Sequence, residues 1–249
     1  MTQELFALST AAVAIGVTHT LLGPDHYLPF VALARTRNWG MSRTSLITFL
    51  CGLGHVGSSV ILGALGLAAG IVVGKLEKVE SARGEIAAWL LFIFGCIYAL
   101  WGLWRFFFPK GHKHLHLHNG GVIHEHPHSH SHPHSAVELN HASSHRHEFP
   151  GKESKVSSTP WVLFIIFVFG PCEPLIPLLM YPAAEHNFSG AFLVAGLFSI
   201  ATVGTMLAVV LTLYSGAKRV RLGILERLSH FIAGLTIALC GVAILFLGL

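Results

Sequence analysis

Six long apolar runs occupy most of the chain and constrain its fold more than any other feature. They lie at about residues 7–33, 44–73, 86–108, 160–183, 188–215 and 228–249. A helix needs about 20 apolar residues to cross the hydrocarbon core of a bilayer. Only 11% of the residues are charged, against about 25% in ordinary soluble domains. The pattern predicts an all-α, polytopic membrane protein with six transmembrane helices.

The distribution of Lys and Arg predicts how these helices are oriented. Of the 16 basic residues, 13 fall in the loops after the first, third and fifth runs or, for Arg105, at the end of the third run. The other three, Lys75, Lys78 and Arg83, are assigned to the loop between the second and third runs. Because cytoplasmic loops carry an excess of basic residues, we expect the odd-numbered loops in the cytoplasm and both termini outside. The expected location is a bacterial plasma (inner) membrane, and the net charge of +4 needs no nucleic-acid partner.

The first apolar run contains a polar break that membrane helices rarely tolerate. Gly23-Pro24 is followed by Asp25 and His26, and His19 lies seven residues before His26. Proline removes a backbone donor and clashes with the preceding turn. Ionisable groups and irregular backbone occur in a membrane where they are buried in protein or line a wet cavity. The stretch is therefore predicted to form half of an ion site, to which His55 of the second run contributes.

The fourth run repeats this pattern. Gly170-Pro171-Cys172-Glu173 corresponds to Gly23-Pro24-Asp25-His26, and His55-Val56-Gly57 corresponds in the same register to Thr202-Val203-Gly204. Because each repeat has an odd number of helices, the two halves have opposite orientations in the membrane, as is typical of transporters. The sequence therefore predicts two inverted three-helix repeats, residues 1–109 and 160–249, joined by a loop at residues 110–159.

The side chains at these breaks have the chemistry of a metal site. The nitrogen, oxygen and sulfur ligands expected from the two halves are His19, Asp25, His26, His55, Cys172 and Glu173. Imidazole with carboxylate favours a borderline divalent cation over Mg²⁺ or Ca²⁺. For Asp25 and Glu173 the alternative is a structural role, in which a buried polar group holds the helix kink. We expect a cation site near the middle of the membrane, with alternating access by rocking of the halves.

The loop between the halves is a histidine-rich tract. It holds 13 of the 18 histidines in an alternating pattern too polar to form a core. Imidazoles bind Ni²⁺, Co²⁺, Cu²⁺ and Zn²⁺. The tract is therefore predicted to be an auxiliary, cytoplasmic metal-binding loop. Its histidines are His112, His114, His116, His118, His124, His126, His128, His130, His132, His134, His141, His145 and His147.

The motifs of the first two helices resemble those of the nickel/cobalt transporter superfamily. The resemblance rests on His-x₅-Asp-His from His19 to His26, with Gly-Pro before the aspartate, and on Gly52-Leu53-Gly54-His55. The closest branch is the urease-accessory and hydrogenase-accessory membrane proteins. The resemblance implies that His19, Asp25, His26 and His55 contact the metal. It implies transport of Ni²⁺ or Co²⁺, with Zn²⁺ as a further candidate, and metalloenzyme maturation proteins as partners.

Two other functions remain open at this stage. The Pro171-Cys172 kink is similar to those of membrane thiol–disulfide carriers of cytochrome c biogenesis, but the repeat partner of Cys172 is Asp25, not a second cysteine. A non-transporting metal sensor or chaperone would bind metal without flux. The chain has no phosphate-binding loop of the P-loop type. We therefore expect a transporter that is not an enzyme, has no prosthetic group and lies in the lipid bilayer.

Overall fold

The computed structural model describes residues 3–108, 112–117, 123–128, 159–185, 187–219 and 226–247. The chain forms two compact units. The first, residues 1–104 and 158–249, contains both predicted repeats except residues 105–109, and its described part is helical with short connections. The second, residues 105–157, contains most of the histidine-rich loop. The helix contacts and the candidate metal centre described below involve residues of the first unit.

The first apolar run is broken where the sequence predicts. Helix α1 (Gln3–Leu22) ends one residue before Gly23, a 3₁₀ turn covers Pro24–His26, and α2 (Leu28–Thr36) follows. The break forms because Pro24 has no N–H to continue the ladder. The turn closes through the His26 amide, which donates to the carbonyl of Gly23 at 3.1 Å.

The next two helices are α3 (Met41–Ala68) and α4 (Val73–Phe107). Helix α4 corrects the sequence analysis, which began the third run near residue 86 and assigned Lys75, Lys78 and Arg83 to a loop. These residues lie within the helix, and Glu80 on the same stretch is fully buried. The stretch remains helical because Glu80 and Arg83, one turn apart, form an ion pair. Their charges therefore compensate each other, which hydropathy alone does not detect.

The fourth apolar run is also divided, into α5 (Thr159–Phe169) and α6 (Leu175–Ala184). The break begins at Gly170-Pro171, and α6 starts when the Leu175 amide donates to the carbonyl of Cys172 at 2.9 Å. Helices α7 (Phe188–Arg219) and α8 (Ser229–Leu247) complete the described chain.

Five helices of the described chain are long and apolar enough to cross a membrane, namely α1, α3, α4, α7 and α8. Helix α5 is apolar but has only 11 residues. Large apolar side chains point outward from these helices, for example Phe192, Ile200 and Phe246, which are 74%, 73% and 82% exposed. Such a surface suits lipid and would be costly in water. The protein is therefore a helical, polytopic integral membrane protein.

Helix α7 lies at the centre of the unit and packs against α1, α3 and α6, while α3 also packs against α5. One apolar cluster joins α2 to α7 and α8 and includes the buried residues Phe30, Tyr214 and Ile237. A second joins α1 to α6 and α7 and includes Ala12, Leu175 and Phe198. These clusters hold the two helix breaks against α3.

Helices α4 and α8 approach each other at glycines. A Cβ on Gly95 would lie 2.3 Å from the backbone nitrogen of Ala238, and a Cβ on Gly234 would lie 2.2 Å from that of Ala99. Gly95 contacts Ala238, whereas Gly102, which is further along α4, contacts Phe231, which is earlier in α8. The two helices are therefore antiparallel and in backbone contact, as small residues allow in membranes.

The second unit contains a β-hairpin of β1 (His112–Leu117) and β2 (Ile123–His128). The histidine-rich pattern had predicted a tract too polar to form a core and did not predict these strands. The antiparallel register pairs His112 with His128, His114 with His126 and His116 with His124. The remaining predicted loop ligands lie outside the described residues, namely His118, His130, His132, His134, His141, His145 and His147.

Candidate metal centre

Three histidines meet at the first helix break. His19 lies in the last turn of α1, His26 in the 3₁₀ turn and His55 in the middle of α3. His26 and His55 are buried, with 3% and 2% of their surface exposed. They lie together because the 3₁₀ turn at the break holds the ring of His26 against that of His55 on α3, with the ring centroids 5.0 Å apart.

The ring nitrogens of these histidines converge. Ligand atoms of His19, His26 and His55 all lie within 4.8 Å of one another, and the Nε2 atoms of His26 and His55 are 3.3 Å apart. Two nitrogens that each lie about 2.0 Å from one tetrahedral metal ion are roughly 3.3 Å apart. The spacing therefore suits His26 and His55 as two ligands of one transition-metal ion, and His19 lies next to them as the candidate for a third.

The outer ring nitrogens have partners that fix which nitrogen faces the site. His26 Nδ1 lies 3.2 Å from the carbonyl oxygen of Gly23 and 3.2 Å from Oδ1 of Asp25. Both atoms are acceptors, so Nδ1 donates and Nε2 keeps a lone pair. Nδ1 of His55 likewise lies beside the backbone carbonyl of Phe167, next to Gly170. Two lone pairs then face each other across the site, an arrangement that a bound cation stabilises.

His19 completes the nitrogen set. Its Nε2 is buried and has no hydrogen-bond partner in the part of the chain that the structure describes. A buried, unpaired imidazole nitrogen costs free energy unless a ligand satisfies it. This nitrogen is therefore available to a cation held by His26 and His55.

The glycines of both breaks make room for the site. A Cβ on Gly23 would lie 2.5 Å from Nδ1 of His26, and a Cβ on Gly170 would lie 3.0 Å from Nδ1 of His55. Gly23 and Gly170, together with Pro24 and Pro171, were predicted as helix-break residues. The two glycines therefore also allow the imidazoles to approach the backbone closely.

A cavity of about 620 Å³ adjoins the three histidines. Its lining also contains Asp25 and Glu173, one carboxylate from each helix break. The carboxylate of Asp25 is 19% exposed and lies against His26, as in the carboxylate–histidine–metal arrangement of many metal sites. Glu173 is exposed to the cavity. The cavity therefore offers oxygen ligands beside the three nitrogens.

The structure does not bring Cys172 to the histidines. Cys172 is fully buried in the second apolar cluster and is not part of the cavity lining. Its backbone amide donates instead to Oγ of Ser59 at 3.2 Å and to Oε2 of Glu80 at 3.3 Å. Its predicted role as a sulfur ligand stays a prediction, whereas the histidines and the two carboxylates share one cavity.

A polar network that was not predicted from sequence lies beside the site and consists of Ser58, Ser59, Glu80 and Arg83. Two signals were present. Glu80 and Arg83 have the three-residue spacing of helical ion pairs, and the two serines follow His55 by one turn of α3. Assigning residues 75–85 to a loop concealed both signals.

Comparison of the chain with protein families, with curated proteins and with solved structures found no match.

Proposed function

We propose that the protein is a membrane transporter of divalent transition-metal cations, with Ni²⁺ or Co²⁺ as the first candidates. The observation that carries the proposal is the convergence of His19, His26 and His55 at a helix break, beside a cavity inside the helical unit. Buried ionisable groups in membrane helices mark ion pathways more often than they serve packing. The motifs that resemble the nickel/cobalt transporters fall on the same residues.

The donor set supports the choice of cation. Three imidazole nitrogens favour Co²⁺, Ni²⁺, Cu²⁺ or Zn²⁺, whereas Mg²⁺ keeps oxygen ligands and several waters. Asp25 and Glu173 supply negative charge in the same cavity, which offsets the cost of bringing a divalent cation into the membrane. The cation is cargo in this proposal.

Helix α5, the break and α6 form the sixth span, and the halves are inverted repeats. The element boundaries support this arrangement. Helices α1 and α5 end at Leu22 and Phe169, and α2 and α6 begin at Leu28 and Leu175, each pair in the register that aligns the two Gly-Pro motifs. Helices α3 and α7 also begin at positions that this register aligns. Equivalent sequences therefore begin and end equivalent helices.

The contact between α4 and α8 supports the inversion. Gly95 and Ala99 on α4 have the same four-residue spacing as Gly234 and Ala238 on α8. Gly95 meets Ala238, while Gly234 meets Ala99. Such reciprocal contacts are what a two-fold axis produces. Two equivalent helices that run antiparallel in one membrane belong to halves of opposite orientation.

Transport proceeds in this proposal by alternating access, with the two halves moving around the cation site. Both termini lie outside a bacterial inner membrane and the histidine-rich loop lies in the cytoplasm, where it collects or buffers the metal. The thiol–disulfide alternative has less support, because all four cysteines are free and Cys172 is buried away from the cavity.

The test of this function is metal flux into liposomes. Purified protein is reconstituted with a metal-responsive dye inside, and Ni²⁺, Co²⁺, Zn²⁺ and Mg²⁺ are added separately. We expect saturable flux of Ni²⁺ or Co²⁺ and background flux of Mg²⁺, since Mg²⁺ does not accept three imidazoles. Tight binding of a transition metal with no flux under any ion gradient would refute transport and favour the sensor or chaperone function.

A second expected result concerns the histidine-rich loop. Deleting residues 112–147 should change how flux depends on metal concentration but leave a residual rate, because the three-histidine site lies in the other unit. The same liposome assay at increasing Ni²⁺ concentration measures this effect. Complete loss of flux in a folded deletion variant would place the essential site in the loop.

A further inference from the structure

A buried ion pair lies on α4, beside the second helix break. Glu80 is fully buried, and its Oε1 accepts a hydrogen bond from Nη1 of Arg83, whose side chain is 17% exposed. Charged side chains among membrane helices are costly and are retained where they have a task. The function of this ion pair follows from its other hydrogen bonds, which connect it to the surroundings of His55 and to the second helix break.

Arg83 hydrogen bonds to two helices that surround His55, namely α3 and α5. Its Nη2 donates to Oγ of Ser58 at 2.7 Å, and that hydroxyl donates to the backbone carbonyl of His55 at 2.8 Å. The same Nη2 donates to the carbonyl of Val168 at 2.8 Å. Val168 follows Phe167, whose carbonyl lies beside Nδ1 of the His55 ring. The guanidinium group thus fixes the backbone of His55 and the end of α5 that orients its ring.

Glu80 connects the same point to the second break. Its Oε2 accepts from Oγ of Ser59 at 3.1 Å and from the amide of Cys172 at 3.3 Å. Gly84, one turn further along α4, lies against Pro171, where a Cβ would be 2.7 Å from Cγ of the proline. The ion pair therefore ties α4 and α3 of the first predicted half to the break of the second.

We propose that Arg83 is a positioning residue of the cation site, with Glu80 as its counter-ion. It holds the last turn of α5 against α3 so that His55 presents Nε2 toward His26. The inference rests on the proposed cation site, but it concerns binding and does not require transport. It explains why a charged pair is retained in the helix next to the site, although neither of its residues lines the cavity.

The test is Co²⁺ binding to the purified full-length protein, followed by visible absorption. The His26→Ala variant keeps the loop histidines, so subtracting its spectrum isolates the three-histidine site. We expect Arg83→Gln to raise the dissociation constant of that site about 10-fold to 100-fold, the usual effect of removing a group that orients a ligand. The d–d bands in the difference spectrum should change as well. Arg83→Lys keeps the charge and one bond, so its effect should be smaller.

Two further variants keep the test decisive. Lys78→Gln, on an exposed position of the same helix, is the matched control and should bind as the unmodified protein does. If Arg83→Gln fails to fold because Glu80 is left unpaired, the double variant Glu80→Gln/Arg83→Gln removes both charges and should show the same loss of affinity. Unchanged affinity and bands in a folded Arg83→Gln or double variant would overturn the proposal.

The outcomes separate the two proposals. Metal binding that responds to Arg83 without any flux would refute transport and support the positioning role. Normal flux and binding in the Arg83 variants would leave the proposed function standing and refute the positioning role. An absorption spectrum unaffected by His26→Ala would overturn the three-histidine site and with it the role of Arg83.

Discussion

Replacing His26 with alanine is expected to abolish saturable flux of Ni²⁺ and Co²⁺, with a loss of at least about 100-fold. His26 contributes Nε2, which lies 3.3 Å from Nε2 of His55, and its ring centroid lies 4.8 Å from that of His19. Removing it leaves two imidazoles whose ring centroids are 6.4 Å apart and lack their common neighbour. The liposome assay with a trapped dye measures the loss, and equal incorporation of both proteins is verified first.

His230 supplies the matched control. It is a partly buried histidine of α8 whose Nδ1 lies 3.0 Å from the hydroxyl of Tyr98, and it does not belong to the three-histidine group. His230→Ala removes an imidazole of the same kind from the same bundle, so we expect flux to persist. The cation site would be wrongly assigned if both variants lost flux equally, or if His26→Ala kept it.

Replacing Gly234 with alanine is expected to destabilise the protein by more than about 3 kcal/mol, because the added methyl would overpack a backbone contact. Its Cβ would lie 2.2 Å from the backbone nitrogen of Ala99 and 2.6 Å from its Cα. Neither atom belongs to a flexible side chain, so α4 and α8 would have to separate. Size-exclusion profiles and thermal unfolding in detergent measure the effect.

The control for Gly234→Ala is Gly204→Ala on α7. Nothing lies within 4 Å of a Cβ at Gly204, so only the backbone entropy changes. Alanine there is expected to raise the free energy of unfolding by about 0.5–1 kcal/mol. The two substitutions therefore have opposite signs. Similar unfolding temperatures for both variants would contradict close backbone packing between α4 and α8, and would remove one support for the inverted repeats.

The boundaries of the broken helices were predictable from sequence because they follow local rules. Pro24 and Pro171 lack the N–H that a helix needs, so α1 and α5 end just before them regardless of their neighbours. The apolar runs likewise predicted the membrane class, because hydrocarbon requires long uncharged helices. The grouping of His26 with His55 was predicted from the rarity of membrane histidines, before their distance was known.

The roles of the other polar residues depended on packing. Asp25 and Cys172 hold equivalent positions in the two Gly-Pro motifs, yet one lies against His26 beside the cavity and the other in an apolar cluster. The difference arises because Nε2 of His55 faces His26 at the first break, whereas Ser59 and Glu80 of α4 bind the backbone amide of Cys172 at the second. Side chains from distant parts of the sequence determine these environments, and spacing within one helix does not specify them.

The sequence by itself determined the membrane class, the two broken helices and the residues able to bind a metal, because proline geometry and the cost of charge in hydrocarbon act locally. Only the tertiary structure decided that residues 75–85 continue α4 as a helix, with Glu80 buried. The many charged residues of that stretch are typical of a polar loop. It is helical because Arg83, Ser59 and the amide of Cys172 satisfy the carboxylate, and two of these three partners come from other elements of the fold.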